Sequence, residues 1–137
     1  MSTRREKGSA SIFVIGMSLV LLVCAGLVVD GGLAINARMR VADDAEQAAR
    51  VGADSIDVTQ LRSGGALEID ADLAGQRAAA YLQDRGYVAG QYTVDTPGNA
   101  VVVEVQDTTE TALLKLVNIK NFVVNGRATA EPATEPD

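Results

Sequence analysis

Histidine and tryptophan are missing from the 137 residues, and cysteine occurs once. Without histidine, the commonest general base and a frequent metal ligand are gone. The one thiol, Cys24, sits inside an apolar run, where it reads as a small hydrophobe. Outside that run there is no thiol nucleophile, no cysteine metal site and no intramolecular disulfide. Aromatic residues make up only 4% although apolar residues reach 47%, so Ala, Val, Leu and Ile carry the apolar content. A glycine-rich phosphate loop is also lacking, since Gly31-Gly32 and Gly64-Gly65 are isolated doublets. These absences argue against an enzyme and imply no catalytic residues, cofactor, metal or small-molecule substrate.

Positive charge is concentrated at the start. Setting Arg4, Arg5 and Lys7 aside from the 12 basic residues, and Glu6 from the 18 acidic ones, leaves 9 against 17 from Asp30 onward, a net of −8. Such an acidic stretch is a poor nucleic-acid binder and reads as a solvated surface. Its acid pairs fit that reading. Asp43-Asp44 is solvated charge, and Asp70 or Asp72 caps a helix rather than holding a metal.

What is present is one long apolar block, Ala10 to Val29, free of charge and proline. Its 20 residues would span about 30 Å as a helix, the thickness of a bilayer core. The chain is too short to wrap such a helix in protein, so a membrane span is expected. Arg4, Arg5 and Lys7 before the block and Asp30 after it predict a cytoplasmic N-terminus and an extracytoplasmic remainder. Asp30 is an acid at the membrane exit, which an ionised carboxylate occupies only at an interface or beside a partner.

The segment has alternative readings as a targeting signal. Val23-Cys24-Ala25 resembles a small-x-small site, and cutting before Gly26 would release a secreted protein. The apolar run is long for such a signal and continues through Leu27, Val28 and Val29. A lipoprotein reading is disfavoured by Val23 before Cys24, and a twin-arginine reading by Glu6 and Lys7 after Arg4-Arg5. The third layout is a basic stretch ending at Gly8, with Ser9 opening the apolar helix, as in a prepilin-type leader.

Beyond the membrane the helical pattern continues from Leu33 to about Asp54, with Gly31-Gly32 as a hinge. Arg40 with Asp44 and Glu46 with Arg50 are i,i+4 pairs. Ala42, Ala45, Ala49 and Gly52 form a small-residue stripe that packs either on the chain's own domain or on another helix. Residues 55–68 contain the Ser63-Gly64-Gly65 loop signal. A second helix is predicted from about Asp70 to Arg85, stopped by Gly86, with Leu73, Arg77, Ala80, Tyr81 and Leu82 on its packed side. Strands follow at Gln91–Val94 and Ala100–Gln106, joined by the turn 96–99. Asp107 and Glu110 have capping-box spacing before a short Leu-rich element, 111–117. A third strand begins near Phe122 and ends near Ala130. The expected division is a leader 1–9, a transmembrane helix 10–29, a helix extension 30–54, a small α+β domain 55–130 with about three antiparallel strands, and a disordered tail 131–137.

Arg4-Arg5-Glu6-Lys7-Gly8, the apolar block, Asp30-Gly31-Gly32 and the Ala-rich helix 38–54 together resemble the N-terminal region of TadE/TadG-like pseudopilins. The Val28–Gly32 run is similar to that of actinobacterial TadG-related forms. The resemblance implies a minor pilin-like, non-enzymatic component of a Tad-type pilus in the cell membrane. Its implied partners are other pilins and pseudopilins, the Tad inner-membrane platform and the lipid bilayer. Processed pseudopilins carry Glu at the fifth position after the cut, which neutralises a neighbour's amine; here that position is Phe13, so an uncleaved anchor stays open beside a cleaved one. The rival classes are a membrane-anchored extracytoplasmic binding or sensory module and the secreted protein.

Overall fold

The computed structural model describes residues 6–133. The Arg4-Arg5 flank and residues 134–137 of the expected tail lie outside the described residues. The chain divides into two compact units. One holds the chain up to Ile35 together with Thr109–Phe122, and the other holds Asn36–Thr108 with the chain from Val123 on.

Helix α1, Glu6–Ala53, is 48 residues long and contributes to both units. It carries the apolar block and is the helix long and apolar enough to cross a membrane. The Gly31-Gly32 pair does not interrupt it. Two glycines weaken a helix by about 1 kcal/mol each against Ala, which a helix of this length absorbs.

In the second unit α1 is followed by a short helix α2, Val58–Arg62, and by α3, Ala71–Asp84. Helix α2 starts where the Asp57 side chain accepts from Thr59 and Gln60 N–H, a cap that the glycine-based loop reading of 55–68 passed over. Asp70, not Asp72, caps α3, accepting from Leu73 N–H. Gly86 ends it at φ +97°. The buried side of α3 is Ala74, Ala78 and Leu82, whereas Arg77 and Ala80 are exposed. The predicted face was displaced by less than a turn because alanines on both sides offer no hydropathy contrast.

Strands β1, Tyr92–Asp95, β2, Val101–Glu110, and β3, Asn121–Ala130, form an antiparallel sheet in the order β1-β2-β3. Tyr92 pairs with Val105 and Asp95 with Val102. Strand β2 runs past the point where a capping box was expected; Asp107 lies within it, binding the Thr108 N–H and the side chains of Arg40 and Gln91. The architecture is α+β, as the pattern of periods implied.

The core of this unit joins Val41, Ala45, Ala48 and Ala49 of α1 to Ala74, Ala78 and Leu82 of α3 and to Val101, Val103 and Val105 of β2. Alternation along β2 puts every second valine inward. Small residues on α1 let the other elements come close. A Cβ on Gly126 of β3 would lie 2.7 Å from the Val41 carbonyl oxygen, and one on Gly52 would lie 3.0 Å from Val101. Asn99 ties the hairpin turn to the preceding loop, accepting from Ile69 N–H and donating to Leu67 C=O.

Candidate functional site at the membrane exit

The first unit contains a buried acid in an apolar setting. Asp30 follows the apolar block on α1 and is 0% exposed. Facing it is the β2–β3 connection, which carries a 3₁₀ turn at Leu114–Val117. A helical turn leaves its first N–H groups without partners, and Asp30 supplies them from across the chain. One carboxylate oxygen accepts from Ala112 N–H at 2.6 Å and Leu113 N–H at 3.2 Å. The other accepts from Leu113 N–H at 3.0 Å and Leu114 N–H at 2.6 Å. Such charge-assisted bonds are about twice as strong as neutral ones and offset the cost of taking a carboxylate out of water.

One turn earlier, Gly26 makes room for the same connection. A Cβ there would sit 3.3 Å from Leu113 Cβ and 3.6 Å from Leu114 Cδ2. Leu19, Leu22 and Val23 of α1 and Leu113, Leu114, Leu116 and Val117 of the turn line a small apolar crevice of about 100 Å³. The turn ends at Asn118, whose φ of 67° is left-handed, a conformation in which Asn is enriched. Thr111, 3% exposed, closes the connection by donating its hydroxyl to Ile119 C=O at 2.5 Å. With both its oxygens occupied by N–H donors, Asp30 acts as an anchor for backbone. Among the described residues no group of three or more His, Cys, Asp and Glu is placed to hold a metal ion.

The second unit has its own buried acid. Asp44 of α1, expected with Asp43 to be solvated charge, is instead only 4% exposed, Asp43 alone facing out, and it binds Arg85 Nε at 2.9 Å and the Tyr87 hydroxyl at 2.8 Å. The expected Arg40–Asp44 pair is not formed; Arg40 instead binds Asp107 at 3.2 Å. The reason is packing: Asp44 lies on the inward side of α1, while Arg40 is exposed beside β2. The Glu46–Arg50 pair is present. Burial, with the hydrogen bond to Asp44 and the charges of Asp44 and Asp107, pushes the Tyr87 phenol up to about 12. The hydrogen bond and charge of Asp44 raise the Arg85 guanidinium further above its ordinary value. A separate open groove of about 470 Å³ is lined by residues including Arg38, Tyr92, Gln106, Asn125 and Arg127.

The other residues singled out from sequence are dispersed along α1. Gly8 and Ser9 lie within the helix, and Ser9 and Phe13 are exposed. Of the small-residue stripe, Ala45, Ala49 and Gly52 are buried within the second unit and Ala42 is exposed. The buried line passes through Ala37 and Val41 instead, because a residue four before Ala45 is nearer to it in angle around a helix than one three before. Leu113 and Leu114 were not anticipated as members of a site, and Gly26 was singled out only as the residue after an alternative cut. The Leu-rich run was visible, but nothing local in it points to an acid 84 positions away.

No curated protein and no solved structure matches the chain. A family model does, over residues 8–55: that of Tad, described as "Putative Flp pilus-assembly TadE/G-like". The match covers most of α1, including the apolar block, Asp30 and the Ala-rich extension, and on that long helix the chain is similar to the TadE/G-like family of Flp pilus-assembly proteins.

Proposed function

We propose that the protein is a structural, non-enzymatic, minor pilin-like component of a Tad-type pilus in the bacterial envelope. The observation that carries this reading is the TadE/G-like match over a helix whose first half is an unbroken apolar span and whose second half builds the core of an α+β unit. In this reading residues 10–29 cross the cell membrane, the basic N-terminus is cytoplasmic and the acidic remainder is extracytoplasmic. The partners are other pilins or pseudopilins and the inner-membrane platform, met within the bilayer and at its surface.

Deletion of the gene tests the proposal. Loss of pili, restored by the full chain, is the expected result; intact pili in the deletion strain would overturn it. The mature N-terminus of the protein from membranes separates the processing states. A start at Ser9 means prepilin-type cleavage despite Phe13, and an intact start means an uncleaved anchor. A start at Gly26 means release as a secreted protein.

The groove beside Arg38, Tyr92 and Arg127 favours a second reading, a membrane-anchored binding module. It predicts that Arg127→Ala would abolish a ligand-dependent rise in the thermal midpoint of the full chain. The same variant would leave piliation intact.

A further inference from the structure

The β2–β3 connection ends in a row of apolar side chains with no protein cover. Leu116 is 70% exposed, Val117 46% and Ile119 44%, in a stretch reading TALLKLVNIK from Thr111 to Lys120. The turn does not project away from the apolar helix. It lies along it, sharing a crevice with Leu19, Leu22, Val23 and Gly26. At 1.5 Å per residue, Gly26 is about 6 Å and Leu19 about 16 Å along the helix axis from Asp30 toward the N-terminus. If residues 10–29 span the bilayer, a turn at that level is inside the hydrocarbon.

We propose that Leu113–Ile119 is a second membrane-embedded element, inserted beside α1 into the leaflet on the Asp30 side. The occupant of its exposed apolar face is lipid acyl chain. This rests on the reading of residues 10–29 as a membrane span. Three observations support it independently of the exposed area.

The first is continuity. The apolar surface of the turn runs without interruption into the exposed Leu19 and Leu22 surface of α1. The second is backbone satisfaction. Non-helical backbone is tolerated at membrane depth only where the protein itself shields it and takes up its polar groups, leaving side chains to meet lipid. Here Asp30 takes the N–H groups of Ala112, Leu113 and Leu114. Leu116, Asn118 and Ile119 N–H bond within the turn, and Thr111 N–H bonds to Lys120 C=O. Asp30 thereby explains itself, since a buried acid at a membrane exit serves as the acceptor that lets a turn enter without water. The third is charge. Lys115, within the element, and Lys120, directly after it, flank the exposed Leu116–Ile119 run and are themselves exposed, and a lysine stem reaches along apolar surface to place its ammonium among headgroup phosphates.

The test uses the full chain with Cys24→Ser, reconstituted in vesicles of phosphatidylcholine and phosphatidylglycerol. Single cysteines at Leu116, Leu22 or Val88 carry an environment-sensitive fluorophore. All three positions are exposed in the fold, and because Leu22 and Leu116 also line the crevice, circular dichroism and thermal unfolding of each labelled protein check that the fold is kept. The label at Leu116 should emit to the blue, resist aqueous iodide and be quenched by lipids brominated on the acyl chain, as at Leu22. Val88 should remain open to iodide.

Iodide quenching at Leu116 equal to that at Val88, with Leu22 shielded, would overturn the embedded turn and leave the span standing. Iodide quenching at both Leu116 and Leu22 would overturn both. A Leu116 label shielded from iodide and from brominated lipid, and released on dilution with excess lipid, would mean that a second copy covers the face, which also overturns the proposal.

Discussion

Asp30 and Leu114 stand 84 positions apart and are joined at 2.6 Å, the Leu114 amide donating to the Asp30 carboxylate. The bond ties the end of an apolar helical block to the start of a 3₁₀ turn, so that a single side chain on α1 acts as the missing cap of an element far along the chain.

Removing that carboxylate leaves the N–H groups of Ala112, Leu113 and Leu114 without their acceptor. Asp30→Ala should destabilise the connection by about 2–4 kcal/mol, given the cost of stranding buried donors. In detergent-solubilised full chain, amide hydrogen exchange at residues 112–114 should accelerate strongly while the core valines of β2 keep their protection. Unchanged exchange at 112–114 would refute the capping role.

Tyr87 offers a pH-dependent readout in the other unit. Its phenol is held at about 12, against an ordinary value near 10, by burial and by its bond to Asp44. Below pH 10 the phenol is neutral in both folded and unfolded chains, so its full contribution is present. Between pH 10 and 12 the unfolded chain loses its proton first, and the contribution falls. The stability advantage of the native protein over Tyr87→Phe should therefore be constant below pH 10 and shrink by about 2–3 kcal/mol by pH 12. Denaturant titrations of both proteins at pH 8 and 11.5 would reveal a flat difference if the Asp44 bond is unimportant.

Gly126 marks where β3 passes α1 too closely for any side chain, a Cβ there lying 2.7 Å from Val41 O and 2.8 Å from Ala42 N. Both neighbours are backbone and cannot rotate away. Gly126→Ala should cost about 1–3 kcal/mol or more by overpacking. Gly75, with open space around its Cβ position, should accept Ala without loss and gain helix propensity. Thermal midpoints of the two variants would have to move in opposite directions.

Ser55 is buried, and its hydroxyl has no hydrogen-bond partner. Folding thus desolvates a polar group without compensation. Ser55→Ala should be neutral or stabilising by up to about 1–2 kcal/mol. A clear drop in the midpoint would show that the hydroxyl has a partner in solution, such as an ordered water.

Much of the fold was legible because local chemistry speaks in periods. The α3 helix announces itself through Asp70 at its start and Gly86 at its end, and the hairpin through alternating valines around the turn 96–99. The candidate site was legible only in half. Asp30 was conspicuous as an acid directly after a charge-free run, whereas Leu113 and Leu114 looked like any short apolar turn. Similarly, i,i+4 spacing suggested Arg40 with Asp44, but spacing along one helix is indifferent to what another element brings. Arg85 and Tyr87 reach Asp44 from the end of α3, and Asp107 reaches Arg40 from β2.

By itself the sequence determined the apolar span, the long helix and the α+β class. These follow from hydropathy, residue spacing and composition, which are properties of short windows or simple counts. Tertiary structure alone decided which side of an Ala-rich helix is buried, which partner each buried acid takes, and that the Leu-rich turn lies along the apolar helix. Those choices depend on contacts between residues tens of positions apart, where a hydrogen bond or a missing Cβ sets the distance and no local pattern records it.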